Sequence, residues 1–195
     1  MAAMLIETET TPNPATLKFM PGRAVIESGP PRDFADADEA GASPLAEALF
    51  GLGDVSGVFY GRDFIAVTAG EGADWRGLKP QVLSILLDHF SSQAPLFKAG
   101  TAADIHIDDD AGEFAENPED ADIVAQIKEL IDTRVRPAVA NDGGDIVYRG
   151  FDKGVVYLAM HGACSGCPSS TATLKQGIEQ LLKHYVPEVT EVRAA

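Results

Sequence analysis

The sequence predicts an α+β protein built from two small domains joined by an acidic, flexible linker. Three observations carry that expectation. Short apolar, β-branched runs punctuated by Gly and Pro are interleaved with stretches of helical periodicity. The 195 residues, 45% of them apolar, exceed the common size of one domain yet can fill two compact cores. The net charge of −15 is spread unevenly: residues 1–91 carry 6 basic and 13 acidic side chains, 92–120 carry 1 and 8, and 121–195 carry 8 and 9. Domains are therefore expected at 1–91 and 121–195, with 92–120 as the linker.

In the first domain, Leu5–Thr10, Leu17–Phe19 and Val25–Ser28 read as strands, with Pro12 and Pro14 turning the chain between the first two. Ser43 is placed to cap a short helix through Phe50, with Pro44 in its first turn. Val55–Tyr60 and Phe64–Thr68 form a hairpin around Gly61-Arg62-Asp63. Trp75–Ser91 forms a helix with Leu78, Val82, Ile85, Leu86 and His89 near one face; His89 reads as a last-turn residue favoured by the helix dipole. Trp75, the single tryptophan, reads as packing.

Between Ser91 and Asp120 the like charges Asp104, Asp108, Asp109, Asp110, Glu113, Glu116, Glu119 and Asp120 repel one another. Pro95, Gly100, Gly112 and Pro118 break any periodicity, so a solvated tether is expected. Leu96, Phe97, Ile105, Ile107 and Phe114 are apolar enough to dock transiently. Asp108–Asp110 lacks the Gly and Glu spacing of a calcium loop.

In the second domain, Ile123, Ile127, Leu130, Ile131 and Val135 mark a helix ending near Pro137. Asp142-Gly143-Gly144 then turns the chain into strand Ile146–Phe151, which pairs with Val155–Met160 through a Lys-Gly turn. Asp142-Gly143-Gly144 reads as turn chemistry, and Asp142 and Asp145 are not read as catalytic carboxylates, since no nucleophile or pocket partner accompanies them. Leu174, Ile178, Leu181, Leu182 and Tyr185 mark a last helix, and Val189–Val192 a third strand.

The chemistry lies in the loop between the second strand and that helix. Gly162-Ala163-Cys164-Ser165-Gly166-Cys167-Pro168 holds the only two cysteines of the chain, three positions apart. A helix N-terminus favours a thiolate over a thiol, while Gly162 and Gly166 let the loop curl so that both sulfurs converge. Such a pair can close a reactive disulfide or supply half of a four-thiolate metal site. Iron–sulfur clusters and structural zinc usually take four protein ligands, and a two-fold homodimer would bring four equivalent thiolates together. A site shared in that way lies near solvent and suits a carrier better than an electron-transfer protein. His161 reads as a solvated strand-end residue rather than a third ligand, because neighbours in a strand point to opposite faces. Two rivals remain: a thiol–disulfide oxidoreductase with Cys164 as nucleophile and Cys167 as resolving thiol, and a zinc-bridged structural dimer.

Several stretches carry a closer likeness. Arg136-Pro137-Ala138-Val139-Ala140-Asn141-Asp142-Gly143-Gly144-Asp145-Ile146, the cysteine loop through Ser170, Thr173-Leu174-Lys175-Gln176-Gly177-Ile178-Glu179 and Tyr185-Val186-Pro187-Glu188-Val189 together resemble the Nfu-type (NifU C-terminal-like) iron–sulfur domain, over about residues 121–193. Thr11-Pro12-Asn13-Pro14-Ala15-Thr16-Leu17-Lys18-Phe19 with Pro21-Gly22 resembles the start of the Nfu N-terminal domain. The resemblance implies a scaffold or carrier rather than an enzyme, holding a [4Fe–4S] cluster between two subunits with Cys164 and Cys167 as ligands. Its implied partners are upstream cluster-assembly proteins, apo iron–sulfur recipients and a second copy of the chain.

Other classes are disfavoured. Phosphate-binding clusters of Lys and Arg are missing, so nucleic acid is not an expected partner. No run of about 18 apolar residues suggests a membrane span. Met1–Thr10 has neither the basic start of a signal peptide nor the Arg-rich character of a transit peptide. Together with reduced thiols, this leads to an expected location in a bacterial cytoplasm, although a mature organelle form with its presequence removed would look much the same.

Overall fold

The computed structural model describes residues 5–27, 29–98, 117–164 and 168–195, arranged as two α+β units. Residues 99–116, most of the expected linker, lie outside the described residues, as do Ile105, Ile107 and Phe114 within it.

The first unit is a five-stranded antiparallel sheet in the order β1-β2-β5-β4-β3, with two helices packed on one face. The strands are β1 (Glu7–Thr10), β2 (Thr16–Met20), β3 (Arg32–Phe34), β4 (Val55–Tyr60) and β5 (Ile65–Ala69). Alternation sorts their side chains. Leu17, Val67 and Val58 share a row on the helix side, as do Phe19, Ile65 and Tyr60. Helices α1 (Pro44–Phe50) and α2 (Trp75–Ser92) bury Leu45, Leu49, Leu78, Val82 and Leu86 against them. Ser43 caps α1 as expected, its Oγ accepting from Ala46 N at 3.3 Å and contacting Tyr60 Oη at 2.8 Å. Trp75 donates its Nε1–H to the Ala15 carbonyl at 3.2 Å and packs on Phe19.

Val25–Ser28 is not a strand. Val25 and Ile26 instead donate their N–H groups to Arg62 O across the mouth of the β4–β5 hairpin, and Ser28 lies outside the described residues. The third strand is Arg32–Phe34, a three-residue edge that exists through pairing with β4. His89 differs too. It lies in the last turn of α2 but is buried, and burial lowers its pKa despite the opposing pull of Asp88. The dipole does not hold it charged.

The second unit has a three-stranded sheet in the order β6-β7-β8, with β6 (Gly144–Asp152) antiparallel to β7 (Val155–Gly162) and β8 (Glu191–Ala194) parallel to it. The β6–β7 turn places Lys153 and Gly154 at φ +47° and +87°, the pair of positive angles that a two-residue type I′ hairpin requires. Strand β8 runs close by, and a Cβ on Gly154 would come within 2.8 Å of Thr190 Oγ1. Helices α3 (Ala121–Leu130), α4 (Arg136–Asn141) and α5 (Pro168–Tyr185) cover one sheet face, burying Val124, Ile127, Val139, Ile178 and Leu182 on Ile146, Val156 and Leu158.

The first helical stretch does not stop near Pro137. A π-helical turn, Ile131–Val135, joins α3 to α4, with Arg136 N–H bonding Ile131 O five residues back. Proline has no N–H to give, and its ring would crowd the carbonyl four residues before it; the wider turn relieves both problems. It also sets Arg136 at the start of α4, facing the beginning of β6. Among the described residues, no helix is long and apolar enough to cross a membrane.

Candidate metal-ligand site at the end of the second sheet

Register fixes the geometry of the site. Gly144 at the start of β6 pairs with Gly162 at the end of β7, and Asp145 pairs with His161. Side chains alternate, so Asp145 and His161 share the sheet face away from the helices. Gly144 belongs to the face of Ile146, which packs into the helix-covered core.

Cys164 lies two residues beyond Gly162, in the turn that leaves β7 toward α5. It is a free thiol, only 6% exposed, and part of the core under the sheet. Its sulfur occupies the space that Gly144 leaves open: a Cβ there would stand 2.7 Å from Sγ and 2.6 Å from the His161 carbonyl oxygen. The main chain is held on both sides. Ala163 N–H donates to Gly143 O at 3.1 Å, and Thr171 Oγ1, in the first turn of α5, donates to Cys164 O at 2.8 Å. Gly143 and Gly162 adopt φ +82° and +66°, left-handed angles that let β6 and β7 end side by side at this turn.

Asp145 anchors the arrangement. Nearly buried at 4% exposure, its carboxylate accepts from Arg136 Nη2 at 2.7 Å and Nε at 2.9 Å, a bidentate pair linking α4 to β6. Arg136 also donates Nη1–H to Asp132 at 3.2 Å, and the hydrogen bond to Asp145 raises its pKa despite partial burial. Asp145 is thus an ion-pair partner of Arg136. His161 is half-buried, with Nε2 sealed from solvent, so it is not the solvated strand end expected; it stands on the sheet face opposite the Cys164 sulfur.

The electrostatics reverse another expectation. The helix N-terminus does not win at Cys164. Burial first, and then the negative charges of Asp142 and Asp145, push its thiol up to about 12. Both effects favour the thiol over the thiolate. Cys167, with Ser165 and Gly166, lies outside the described residues. Among the described residues, no three His, Cys, Asp or Glu side chains gather to hold a metal ion. A soft thiol donor at this junction fits iron or zinc bound through sulfur.

Sequence reasoning located the loop but missed Gly144 and Thr171. A second glycine where one positive φ suffices was the available signal for Gly144. Nothing in the sequence directs the Thr171 hydroxyl back to Cys164.

Residues 127–193 match the NifU-like domain, and residues 6–93 match the N-terminal domain of the scaffold protein Nfu/NifU. NifU-like protein 5, mitochondrial, of Arabidopsis thaliana is 48% identical over 194 residues, covering 97% of this chain and 67% of the relative. The chain belongs to the NifU-like iron–sulfur scaffold family. The NFU1 iron-sulfur cluster scaffold homolog, mitochondrial, of Drosophila sechellia is 46% identical over 191 residues, covering 97% of this chain and 64% of the relative. NifU-like protein 4, mitochondrial, of Arabidopsis thaliana is 48% identical, with 97% and 65% covered. This NifU-like chain thus spans about two thirds of the length of these relatives. Their names overturn the expectation of a bacterial cytoplasmic protein, since these plant and fly relatives are mitochondrial. Reduced thiols are shared by both compartments, so the sequence cues used did not discriminate between them.

Proposed function

We propose that this NifU-like chain is an iron–sulfur carrier. It receives a [4Fe–4S] cluster as cargo from upstream assembly proteins, holds it between two subunits through Cys164 and Cys167 of each, and passes it to apo recipients. The observation that carries this reading is Cys164 itself, a sulfur donor lodged at a strand-to-helix junction within a family of cluster scaffolds. Two thiols per chain leave a four-ligand cluster half-held, and a second copy completes the set. In this reading residues 1–91 form a separate N-terminal unit, tethered through 92–120 to the cluster-binding unit 121–195.

The role is that of a scaffold rather than an enzyme. A dithiol oxidoreductase needs a nucleophile with substantial thiolate character, and Cys164 is pushed the other way. Binding iron requires the Cys164 thiol to give up its proton and leave the core, so loading couples to a local change at the β7–α5 junction.

Anaerobic reconstitution with iron and sulfide tests the proposal. The expected product contains about four irons and four sulfides per two chains, and it activates an apo [4Fe–4S] acceptor within minutes. Zinc retained in place of iron, or a cluster that no excess of acceptor removes, would count against a carrier.

A further inference from the structure

From the contacts around Cys164 we infer that it is a retracted ligand, and that Thr171 and Gly144 are the positioning residues that keep it retracted. The inference rests on the carrier reading, because it concerns how a ligand for the cargo is stored. Sγ sits in the core in the space left by the missing Gly144 side chain, and the residue is only 6% exposed. The carbonyl of the same residue accepts the Thr171 hydroxyl, which ties Cys164 to the first turn of α5. Its neighbour Ala163 bonds Gly143, and the Arg136–Asp145 pair fixes the β6 end that carries both glycines. At 6% exposure, Cys164 offers little surface to a metal shared with another chain. The turn after Gly162 must roll outward, breaking the Thr171 bond, before Cys164 can serve. Stored inward, the ligand is shielded from oxidants and stray soft metals until the partner or the cluster arrives.

The test measures how fast Cys164 is alkylated by iodoacetamide in full-length, iron-free protein carrying Cys167→Ser, so that one thiol reports. Folded protein should react at least about tenfold more slowly than the same protein in guanidinium chloride. Gly144→Ala is the direct challenge to the cradle, but its Cβ also strikes the His161 carbonyl and can prevent folding. Thr171→Val therefore carries the test, since it keeps the shape and removes only the hydrogen bond. It should speed labelling about fivefold, and Thr171→Ser should restore the parent rate, a rescue that loss of packing alone would not give. Labelling of the folded parent at its unfolded rate, or an unchanged rate in Thr171→Val, would overturn the inference. Iron and sulfide counts on the wild-type chain judge the carrier reading separately. A chain that binds no cluster sinks that reading, whereas a cluster-binding chain with unprotected Cys164 sinks only the retraction.

Discussion

At the scale of single residues, the Arg136–Asp145 pair shows how unequal two partners can be. The Asp145 side chain is 6% exposed and that of Arg136 37%, so the cost of parting them depends on which is removed. Arg136→Met strands a buried carboxylate and is expected to destabilise the second unit by about 2–4 kcal/mol, reduced from a fully buried case by the partial exposure of the pair. Asp145→Asn keeps an acceptor for a guanidinium that still reaches water, and should cost about half as much. Urea denaturation followed by far-ultraviolet circular dichroism checks the order; equal losses would contradict the burial argument. The cysteines give the complementary prediction. Cys164→Ser or Cys167→Ser leaves two thiolates per dimer, so either change should abolish stable cluster absorbance while the secondary structure survives. A Cys167→Ser protein with full cluster absorbance would remove that residue from the ligand set.

At the scale of elements, what was legible in the sequence is what local chemistry dictates. Ser43-Pro44 announced α1, and the Lys153-Gly154 turn announced the β6–β7 hairpin, because caps and positive-φ turns are written in the residues that make them. Arg32–Phe34 was not legible: three residues with two charges have no strand signature of their own and become a strand only beside β4. The π turn before Pro137 and the β-bulge between Tyr148 and Gly150 escaped for the same reason, since each is a compromise settled by tertiary packing. The candidate site divided likewise. Its cysteines were evident, but the burial of Cys164 depends on a glycine twenty residues upstream and a threonine seven downstream. His89 offers a test of tertiary override within one helix. Its folded pKa lies below the ordinary value of about 6.5. As pH falls below that value the unfolded chain takes up the proton first, so stability present above it is lost toward acid. Trp75 belongs to the same unit, so its fluorescence reports that unit's unfolding. The urea midpoint should drop between pH 7 and pH 5.5 (~1.5 units, a window below the usual histidine pKa), and His89→Gln should flatten the drop; a wild-type midpoint constant over that range would be inconsistent with a desolvated imidazole.

At the scale of the whole molecule, ligand count and charge together bear on assembly. Two thiols per chain cannot complete a four-ligand site, so cluster binding and dimer formation should be a single event. The strongly acidic residues fall before position 121, where 7 basic side chains face 21 acidic ones, while 121–195 are nearly balanced at 8 and 9. A dimer closed through the balanced unit meets little repulsion at its interface, whereas one closed through the acidic part would need salt to screen it. We therefore expect the iron-free chain to be largely monomeric and the reconstituted chain to be a dimer that persists even at about 10 mM salt, where the screening length is near 30 Å. Removal of iron by a chelator should return the monomer, as expected of a dimer held together by a shared cluster. Light scattering after size-exclusion chromatography, with iron and sulfide counted in the same fractions, reads all three outcomes. A monomer carrying a complete cluster would show that one chain supplies the ligands alone, and the shared-site argument would fall with it.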